Sequence, residues 1–396
     1  MDKQFLIEHY TKHFPNLPSS KEMHFSFCPY RICPIGAHVD HQQGFVTGFA
    51  INFGINIVYT INNDNFFEIV SHNFQFRKSF YADETLKKNN DWCDYIRGCV
   101  KTLIENGYKI KHGISAYVYG DIPVGGLSSS AAISIVSLKA IAFANDIILT
   151  KEEIIEFSYL SEKNFVGVSI GKLDQSCEVL AQKEKLLFLD TKTGEYENIS
   201  LGKSAKPFKL LIVHSGAERK LTNSFYNIRV DECKSVAFTI NAFTNTHKKF
   251  KDCFLRDVEY NDFISHKKFL PENFVKRAMH FYSENKRVKD GVLAWQNGDI
   301  KSFGKIVSAS GKSSIELYEA GSKYLISLYN IMVKTKGIYG TRFLGGGFNG
   351  ACFAIIDPNY EKEIIENIKE KYLAIFPDLK EKINFYICQT ENGIGV

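Results

Sequence analysis

Strand-type runs alternate with helical patterns along this chain, and that alternation limits the folds open to it. Residues 44–61 form a long run rich in β-branched and aromatic side chains, as strands do. Residues 91–107 and 129–146 instead repeat their apolar side chains with helical spacing. A further helix is predicted to begin after Thr150, because Glu153 follows it at the spacing of a capping box. Interleaved strands and helices predict a mixed α/β architecture.

The length of the chain predicts two domains. A single hydrophobic core seldom organises 396 residues. The polar, glycine-containing stretch 193–207 separates two strand-type runs, and long helical patterns dominate the sequence after it. We therefore expect one domain over residues 1–200 and a second over residues 201–396.

Charge and cysteine usage exclude several classes of protein. The net charge of +5 is spread along the chain, which suits an anionic small molecule and does not imply nucleic acid. Nine scattered cysteines lack the paired short spacings of a zinc site and are expected to be reduced thiols. No signal peptide and no apolar run of about 18 residues is found. We expect no membrane contact and a cytoplasmic protein.

The stretch "PVGGLSSSAAISIV", residues 123–136, carries the strongest chemical signal. Glycines precede a serine triplet that opens a predicted helix, where free backbone N–H groups and the helix dipole favour a phosphate group. Serine hydroxyls are also potential ligands of Mg²⁺. A serine N-cap after a tight turn is the alternative, since N-caps favour serine.

Other motifs give weaker signals. Gly345, Gly347 and Gly350 have the spacing of a dinucleotide-binding loop, but the predicted helix precedes them and the strand follows, which is the wrong order. A second loop over phosphates, or a tight turn, remains open. "HVDH" at 38–41 cannot easily converge on one metal ion from an extended segment. Asp174, alone at a predicted helix start, would most often be a cap.

Five stretches, in order, resemble the motifs of the galactokinase branch of the GHMP small-molecule kinases. "PYRICPIGAHVDHQQG" is similar to the first family motif, "GRxNLIGEHTDYNGG", and "PVGGLSSSAA" to "PxGxGLSSSA". "GKLDQ" is similar to "GIMDQ", "SFYNIRVDEC" to "YNxRRxEC", and "GTRFLGGGFNGAC" to the glycine-rich third motif. The resemblance covers nearly the whole chain.

The resemblance implies an α+β two-domain fold and a sugar 1-kinase. The N-terminal domain would be a mixed α/β domain like those of ribosomal and elongation-factor proteins, and the C-terminal domain a ferredoxin-like α+β domain. ATP would phosphorylate the anomeric hydroxyl of a sugar between them, with Asp174 as base and Arg31 steadying the transferred charge. The implied ATP-binding residues are Gly125, Gly126, Leu127, Ser128, Ser129, Ser130 and Ala131, with Ser130 and Glu162 as ligands of Mg²⁺. The implied sugar contacts are Ala37, His38, Asp40, Gly171, Lys172 and Tyr226.

Three departures from the family pattern bear on the substrate. The phosphate loop is one residue shorter, Ala37 replaces a glutamate that accepts a hydrogen bond from the sugar 6-hydroxyl, and Lys172 replaces an apolar residue. A carboxylate at carbon six would be repelled by that glutamate, so alanine predicts galacturonate, with Lys172 as the expected partner of the carboxylate. The stretch around Ala37 also resembles the motif of galacturonokinases. Galactose, N-acetylgalactosamine, arabinose and a non-catalytic sugar sensor remain alternatives, and we expect a monomer or weak oligomer.

Overall fold

In the computed structural model, which describes residues 2–17, 22–123, 125–217, 223–347 and 350–395, two β-sheets organise the chain. The first sheet holds β1 (His24–Ile32), β2 (Phe45–Ile61), β3 (Phe66–Ser71), β4 (Lys78–Tyr81), β5 (Ile114–Gly120), β6 (Lys185–Asp190) and β7 (Tyr196–Ser200). The second holds β8 (Lys209–His214), β9 (Ile338–Phe343), β10 (Ala351–Ile356) and β11 (Asn384–Cys388). A short last strand, β12 (Thr390–Glu391), returns to the first sheet.

Helices fill the connections between these strands. They are α1 (Lys3–His13), α2 (Asp94–Glu105), α3 (Ser129–Ala144), α4 (Lys151–Leu160), α5 (Leu173–Leu180), α6 (Asn223–Phe243), α7 (Tyr260–His266), α8 (Glu272–Gln296), α9 (Ile300–Glu316), α10 (Lys323–Met332) and α11 (Glu361–Ile375). One π-helical turn, Ser161–Val166, follows α4 directly. The sequence-predicted capping box of α4 is formed.

Strand β2 is the centre of the first sheet. It pairs with β1, β5, β6 and β12, each antiparallel. The register of β1 against β2 shifts between Pro29 and Tyr30, because proline cannot donate a ladder hydrogen bond and a bulge accommodates it. Beyond the bulge, Arg31 lies opposite Ala50 and projects from the sheet near the end of its strand.

The second sheet is fully antiparallel, in the strand order β11-β8-β10-β9. Helices α6 to α10 connect β8 to β9, and α11 connects β10 to β11. The predicted boundary at residue 200 therefore falls where the chain leaves one sheet for the other. The hydrophobic core is nevertheless shared, since Trp295 and Phe303 from α8 and α9 pack with Phe49 of β2. A division into two separate domains stays a prediction.

Helix α3 is buried along nearly its whole length, which fixes the position of the loop that precedes it. It runs against β1 and β2, and its apolar side chains are buried on every side apart from Phe143 near its end, which is 54% exposed.

Residues 390–395 pair with the first sheet and with the end of α5. After β12, the N–H groups of Gly393 and Ile394 donate to the carbonyl oxygens of Ala181 and Glu178, each at 2.8 Å, at the end of α5. Gly395 donates to the Val179 carbonyl at 3.3 Å. These bonds satisfy helix-terminal carbonyls that would otherwise lack partners.

Two global expectations can be compared with the structure. All nine cysteines are buried, with free thiols. Among the described residues, none of the helices combines the length and apolar character needed to cross a bilayer.

Candidate active site

A cavity of about 220 Å³ brings together most of the residues singled out from the sequence. Elements of both sheets build it, since Arg31 lies on β1 and Arg342 on β9. The sequence-predicted residues that line it are Arg31, Ala37, His38, Asp40, Gly126, Ser128, Ser129, Ser130, Glu162, Gly171, Asp174 and Tyr226. Gly125, Leu127, Ala131 and Lys172 are not part of its wall.

Arg31 and Asp174 form a close ion pair at one side of the cavity. Arg31 Nε donates to Asp174 Oδ1 at 2.6 Å, and a terminal nitrogen of Arg31 donates to the Gly126 carbonyl at 3.0 Å. The arginine side chain is 5% exposed and that of Asp174 27%, so the carboxylate remains open to the cavity. Asp174 lies in the first turn of α5. The pair places an acceptor for a proton beside a fixed cation.

Asp40 faces the same space. Burial first, and then the nearby charge of Asp174, raise the pKa of Asp40 to about 6, although backbone N–H groups of His41 and Leu173 donate to it. Gly171 explains its position, because a Cβ at Gly171 would lie 2.5 Å from Asp40 Oδ2. Only glycine allows the chain before α5 to approach this carboxyl so closely.

His38 presents a buried polar atom to the cavity. Its backbone is left-handed, with φ of +62°, and its ring stacks on Tyr318 at 4.4 Å with 4° between the planes. Burial lowers the pKa of His38 well below its usual value, so the ring is neutral. Its Nε2 atom is buried without a hydrogen-bond partner within the described part of the chain. A buried unpaired nitrogen costs stability, which is expected where a ligand supplies the missing partner.

His41, the other histidine of "HVDH", has hydrogen-bond partners within the protein. His41 Nε2 lies 3.0 Å from the Tyr318 hydroxyl, and His41 Nδ1 lies 3.1 Å from Gln42 Nε2. The described ranges contain no group of three or more histidine, cysteine or acidic side chains arranged to hold a metal ion.

Hydrogen bonds to the side chains of His280 and Glu284 fix the backbone around Ala37. His280 Nε2 lies 3.0 Å from the Ala37 carbonyl, which can only accept, so the imidazole donates there. The Gly36 N–H donates to Glu284 Oε1 at 2.8 Å. These bonds fix the chain while the methyl group of Ala37 forms part of the cavity wall.

Arg342 is a cation in this wall that sequence reasoning missed. It is 1% exposed, and it donates to Ser310 Oγ at 2.5 Å while lying 3.8 Å from Glu284 Oε1. Glu284 also pairs with Arg287 at 2.6 Å. Burial opposes its ionisation, but Arg287, His280 and Arg342 lower the pKa of Glu284 to about 2. Two guanidinium groups therefore share one carboxylate, and of these two arginines Arg342 lines the cavity.

Lys172 does not occupy the place that the sequence suggested. Its Nζ lies 2.5 Å from Glu156 Oε2 and 5.3 Å from the ring centre of Tyr159, and its side chain is 42% exposed. The ammonium group is directed to a surface ion pair, outside the cavity. The expected contact between Lys172 and a substrate carboxylate therefore has no support in the geometry, because a local surface partner takes the charge.

The two glycine-rich turns pack against each other. A Cβ at Gly125 would lie 2.6 Å from the Gly350 Cα, and one at Gly126 would lie 2.8 Å from the Leu344 carbonyl oxygen. Both positions also have φ between +79° and +159°. The second turn thus lies directly over the first, before β10. Residues 348 and 349 of that turn lie outside the described residues.

A second cavity, of about 1190 Å³, adjoins the first. Aromatic side chains line it, among them Phe74, Phe76 and Trp92, and the indole Nε1 of Trp92 is buried without a partner in the described ranges. Ser129 and Ser130 line both cavities. The serine triplet therefore stands where the smaller, polar cavity meets the larger, aromatic one.

Glu162 lies next to Ser130, where the two cavities meet. It is 3% exposed, accepts from Gln175 Nε2 at 2.8 Å and is hydrogen-bonded to Ser130. Burial, and then Asp174, raise the pKa of Glu162 to about 8. A cation placed here would offset both causes.

Known proteins resemble this chain along almost all of its length. The family model of the GHMP kinases N terminal domain matches residues 94–182. Galacturonokinase of Arabidopsis thaliana is 36% identical, over 95% of this chain and 94% of that protein. Galactokinase of Clostridium perfringens is 31% identical, over 93% of each chain. The solved structure of Lactococcus lactis galactokinase complexed with galactose superposes with a TM-score of 0.88 at 26% identity, covering 98% of each chain.

Proposed function

The chain belongs to the galactokinase branch of the GHMP kinases, phosphotransferases with an alcohol group as acceptor, and on that premise we propose that it is an ATP-dependent sugar 1-kinase acting on D-galacturonate. The product would be galacturonate 1-phosphate. The similarity to the galacturonokinase of Arabidopsis thaliana supports this choice of sugar acid. Galactose is the second candidate, because galactokinases are also similar over nearly the full chain.

The observation that carries the choice is the pairing of Ala37 with Arg342 in the cavity wall. Alanine adds no anion there, and the guanidinium shares Glu284 with Arg287. A substrate carboxylate would complete this charge balance, whereas a neutral hydroxymethyl group would not. Buried cations gain most from a partner of opposite charge when water is excluded. Arg342 thus replaces Lys172 in our proposal as the cation that binds the uronate.

The catalytic roles follow from the ion pair. Asp174 would accept the proton of the anomeric hydroxyl, since its carboxylate is exposed to the cavity and fixed by Arg31. Arg31 would also stabilise the negative charge that spreads over the transferred phosphoryl group. Asp40, Tyr226 and the unpaired His38 Nε2 would hold the sugar hydroxyls.

ATP would occupy the larger cavity with its phosphates at the serine triplet. The aromatic side chains offer a surface for the adenine ring, and the unpaired Trp92 Nε1 would find an acceptor on the nucleotide. The helix dipole and the first N–H groups of α3 favour the phosphates. The γ-phosphoryl would then reach the sugar where Ser129 and Ser130 line both cavities.

Mg²⁺ fits the residues at this junction. Mg²⁺ is commonly held by one or two carboxylates together with substrate phosphates, and Glu162 with Ser130 supplies such a partial set of ligands. Bound there, it would neutralise charge on the phosphates during transfer.

We also propose the finer architecture that the family implies. The order β11-β8-β10-β9, with helices after the first and third of these strands in sequence, agrees with a ferredoxin-like domain over residues 201–396. Residues 1–200 would then form the domain like those of ribosomal and elongation-factor proteins. The kinase would act as a monomer or weak oligomer.

A sugar panel tests the proposed function. ATP consumption is measured with galacturonate, galactose, N-acetylgalactosamine and arabinose, with and without Mg²⁺, and the product is identified as a 1-phosphate. We expect the highest kcat/KM with galacturonate. A preference for galactose would replace the sugar acid in the proposal, and no turnover with any sugar despite binding would favour a sugar sensor.

A further inference from the structure

Ser128, the residue that enters α3, has an unusual conformation for a helix N-cap. An N-cap serine is ordinarily extended and its hydroxyl accepts from a backbone N–H of the first turn. Ser128 instead has φ of +58° and ψ of 35°, and its side chain makes no capping hydrogen bond. A left-handed conformation is costly for a residue with a Cβ, so other contacts must hold it.

The contact that holds it is Glu178. The Ser128 hydroxyl is hydrogen-bonded to Glu178 Oε1, and it also lies 2.7 Å from the Leu127 carbonyl oxygen. Glu178 belongs to α5, one turn beyond Asp174, and is 0% exposed. Its other oxygen lies 4.0 Å from Cys28 Sγ.

The hydrogen-bond geometry indicates which group donates. A serine hydroxyl has one proton, and Ser128 directs it to Glu178 Oε1, with the Leu127 carbonyl oxygen as a second acceptor within reach. Glu178 Oε1 therefore accepts from Ser128, and the serine hydroxyl makes no capping hydrogen bond to α3. Burial raises the pKa of Glu178 well above its usual value, the hydrogen bond that Ser128 donates opposes this rise, and the charge of Asp174 adds to it.

We propose that Glu178 is a positioning residue of the phosphate loop: its buried carboxyl group holds the Ser128 hydroxyl away from α3 and so fixes the left-handed bend with which the loop enters the helix. The first N–H groups of α3, which have no acceptor within the helix, are then left for an anion. The bend also compensates for a loop that is one residue shorter than the family pattern. This inference rests on the proposed binding of ATP phosphates by residues 125–131.

The test compares two substitutions at Glu178 and one at its partner. Glu178→Met removes the acceptor but keeps the volume, while Glu178→Gln keeps an amide oxygen that can accept from Ser128. We expect Glu178→Met to raise the KM for ATP at least fivefold, with the KM for the sugar changed less than twofold. Glu178→Gln should restore the KM for ATP to within about twofold of wild type. Cys28→Ala, which changes the opposite side of Glu178, is the control and should leave both constants unchanged.

A double-mutant cycle with Ser128→Ala separates positioning from general loss of structure. If Glu178 acts through Ser128, the combined variant is no worse for ATP than Ser128→Ala alone. Additive effects, or equal changes in both Michaelis constants, overturn the inference. Should Glu178→Met fail to fold, a wild-type KM for ATP in Ser128→Ala would overturn it equally.

Calorimetric titration with ATP distinguishes the inference from the proposed function beneath it. Wild-type protein that does not bind ATP would contradict the proposed function. Wild-type protein that binds ATP while Ser128→Ala binds it equally well would contradict the role of Glu178 alone.

Discussion

Replacing Ala37 with glutamate should reverse or narrow the preference for galacturonate over galactose. His280 and Glu284 fix the backbone at positions 37 and 36, so the longer side chain would enter the cavity of about 220 Å³ without moving the chain. Two carboxylates about 4 Å apart repel by about 4 kcal/mol at an effective dielectric constant of about 20. The new carboxylate would also compete for Arg342, which lines the same wall.

Galactose should gain from the same substitution. A hydrogen bond from its 6-hydroxyl to a charged acceptor contributes about 1.5–3 kcal/mol. Since about 1.4 kcal/mol is a factor of ten, the ratio of kcat/KM for galacturonate to that for galactose should fall at least tenfold. The measurement is steady-state kinetics with both sugars at saturating ATP and Mg²⁺.

The control for this substitution is Ala37→Gln, which adds the same volume without charge. We expect it to reduce galacturonate phosphorylation much less than Ala37→Glu does. Equal effects of the two substitutions would show that the volume of the side chain at position 37, and not its charge, determines the choice of sugar. A wild-type enzyme that already prefers galactose would refute the reasoning at its starting point.

Three further substitutions follow from the site. Asp174→Asn should nearly abolish turnover while ATP affinity, measured by calorimetry, stays close to wild type, because the lost group accepts the sugar proton and does not hold the nucleotide. Lys172→Met should change the KM for either sugar by less than about twofold, since its ammonium pairs with Glu156 at the surface, and a selective loss for galacturonate would show that it reaches the substrate. Asp40→Asn should raise the melting temperature at pH 7.5 while impairing sugar binding. The folded-state pKa of Asp40, about 6, lies above its usual 3.8, so ionisation costs stability above pH 6. The increase in melting temperature should therefore become smaller as the pH is lowered to 5. An increase that is constant with pH would show that the ionisation of Asp40 is not its cause.

Local patterns in the sequence were sufficient to predict α3 and the start of α4. The capping box of α4 and the serine-opened α3 depend on residues only a few positions apart, and both are formed. Strand β1, which contains Arg31, is harder to predict, because Pro29 is unfavourable inside a strand and only the bulge opposite β2 makes it acceptable. Secondary structure of this kind depends on a partner that is distant in sequence.

The electrostatic partners could not be read from sequence. Lys172 is two positions before Asp174 in the chain, yet Glu156 binds its ammonium group. Arg342 lies more than 300 positions after Ala37 and reaches the same cavity only because β9 packs there. Glu178 lies three residues after the "GKLDQ" motif, but its contact with Ser128 depends on how α5 lies against α3. The sequence shows where the charged residues occur, but only the fold determines which groups their side chains contact.

The pairing of residues 390–395 with β2 and α5 has a consequence for biosynthesis. A ribosome makes these residues after β2 and α5, so the central strand and the carbonyl groups ending α5 lack these partners until residues 390–395 have been made. The helix that carries Asp174 would thus be completed late, and active enzyme would form only after this segment has emerged. A change within residues 390–395 would therefore act on the helix that carries Asp174.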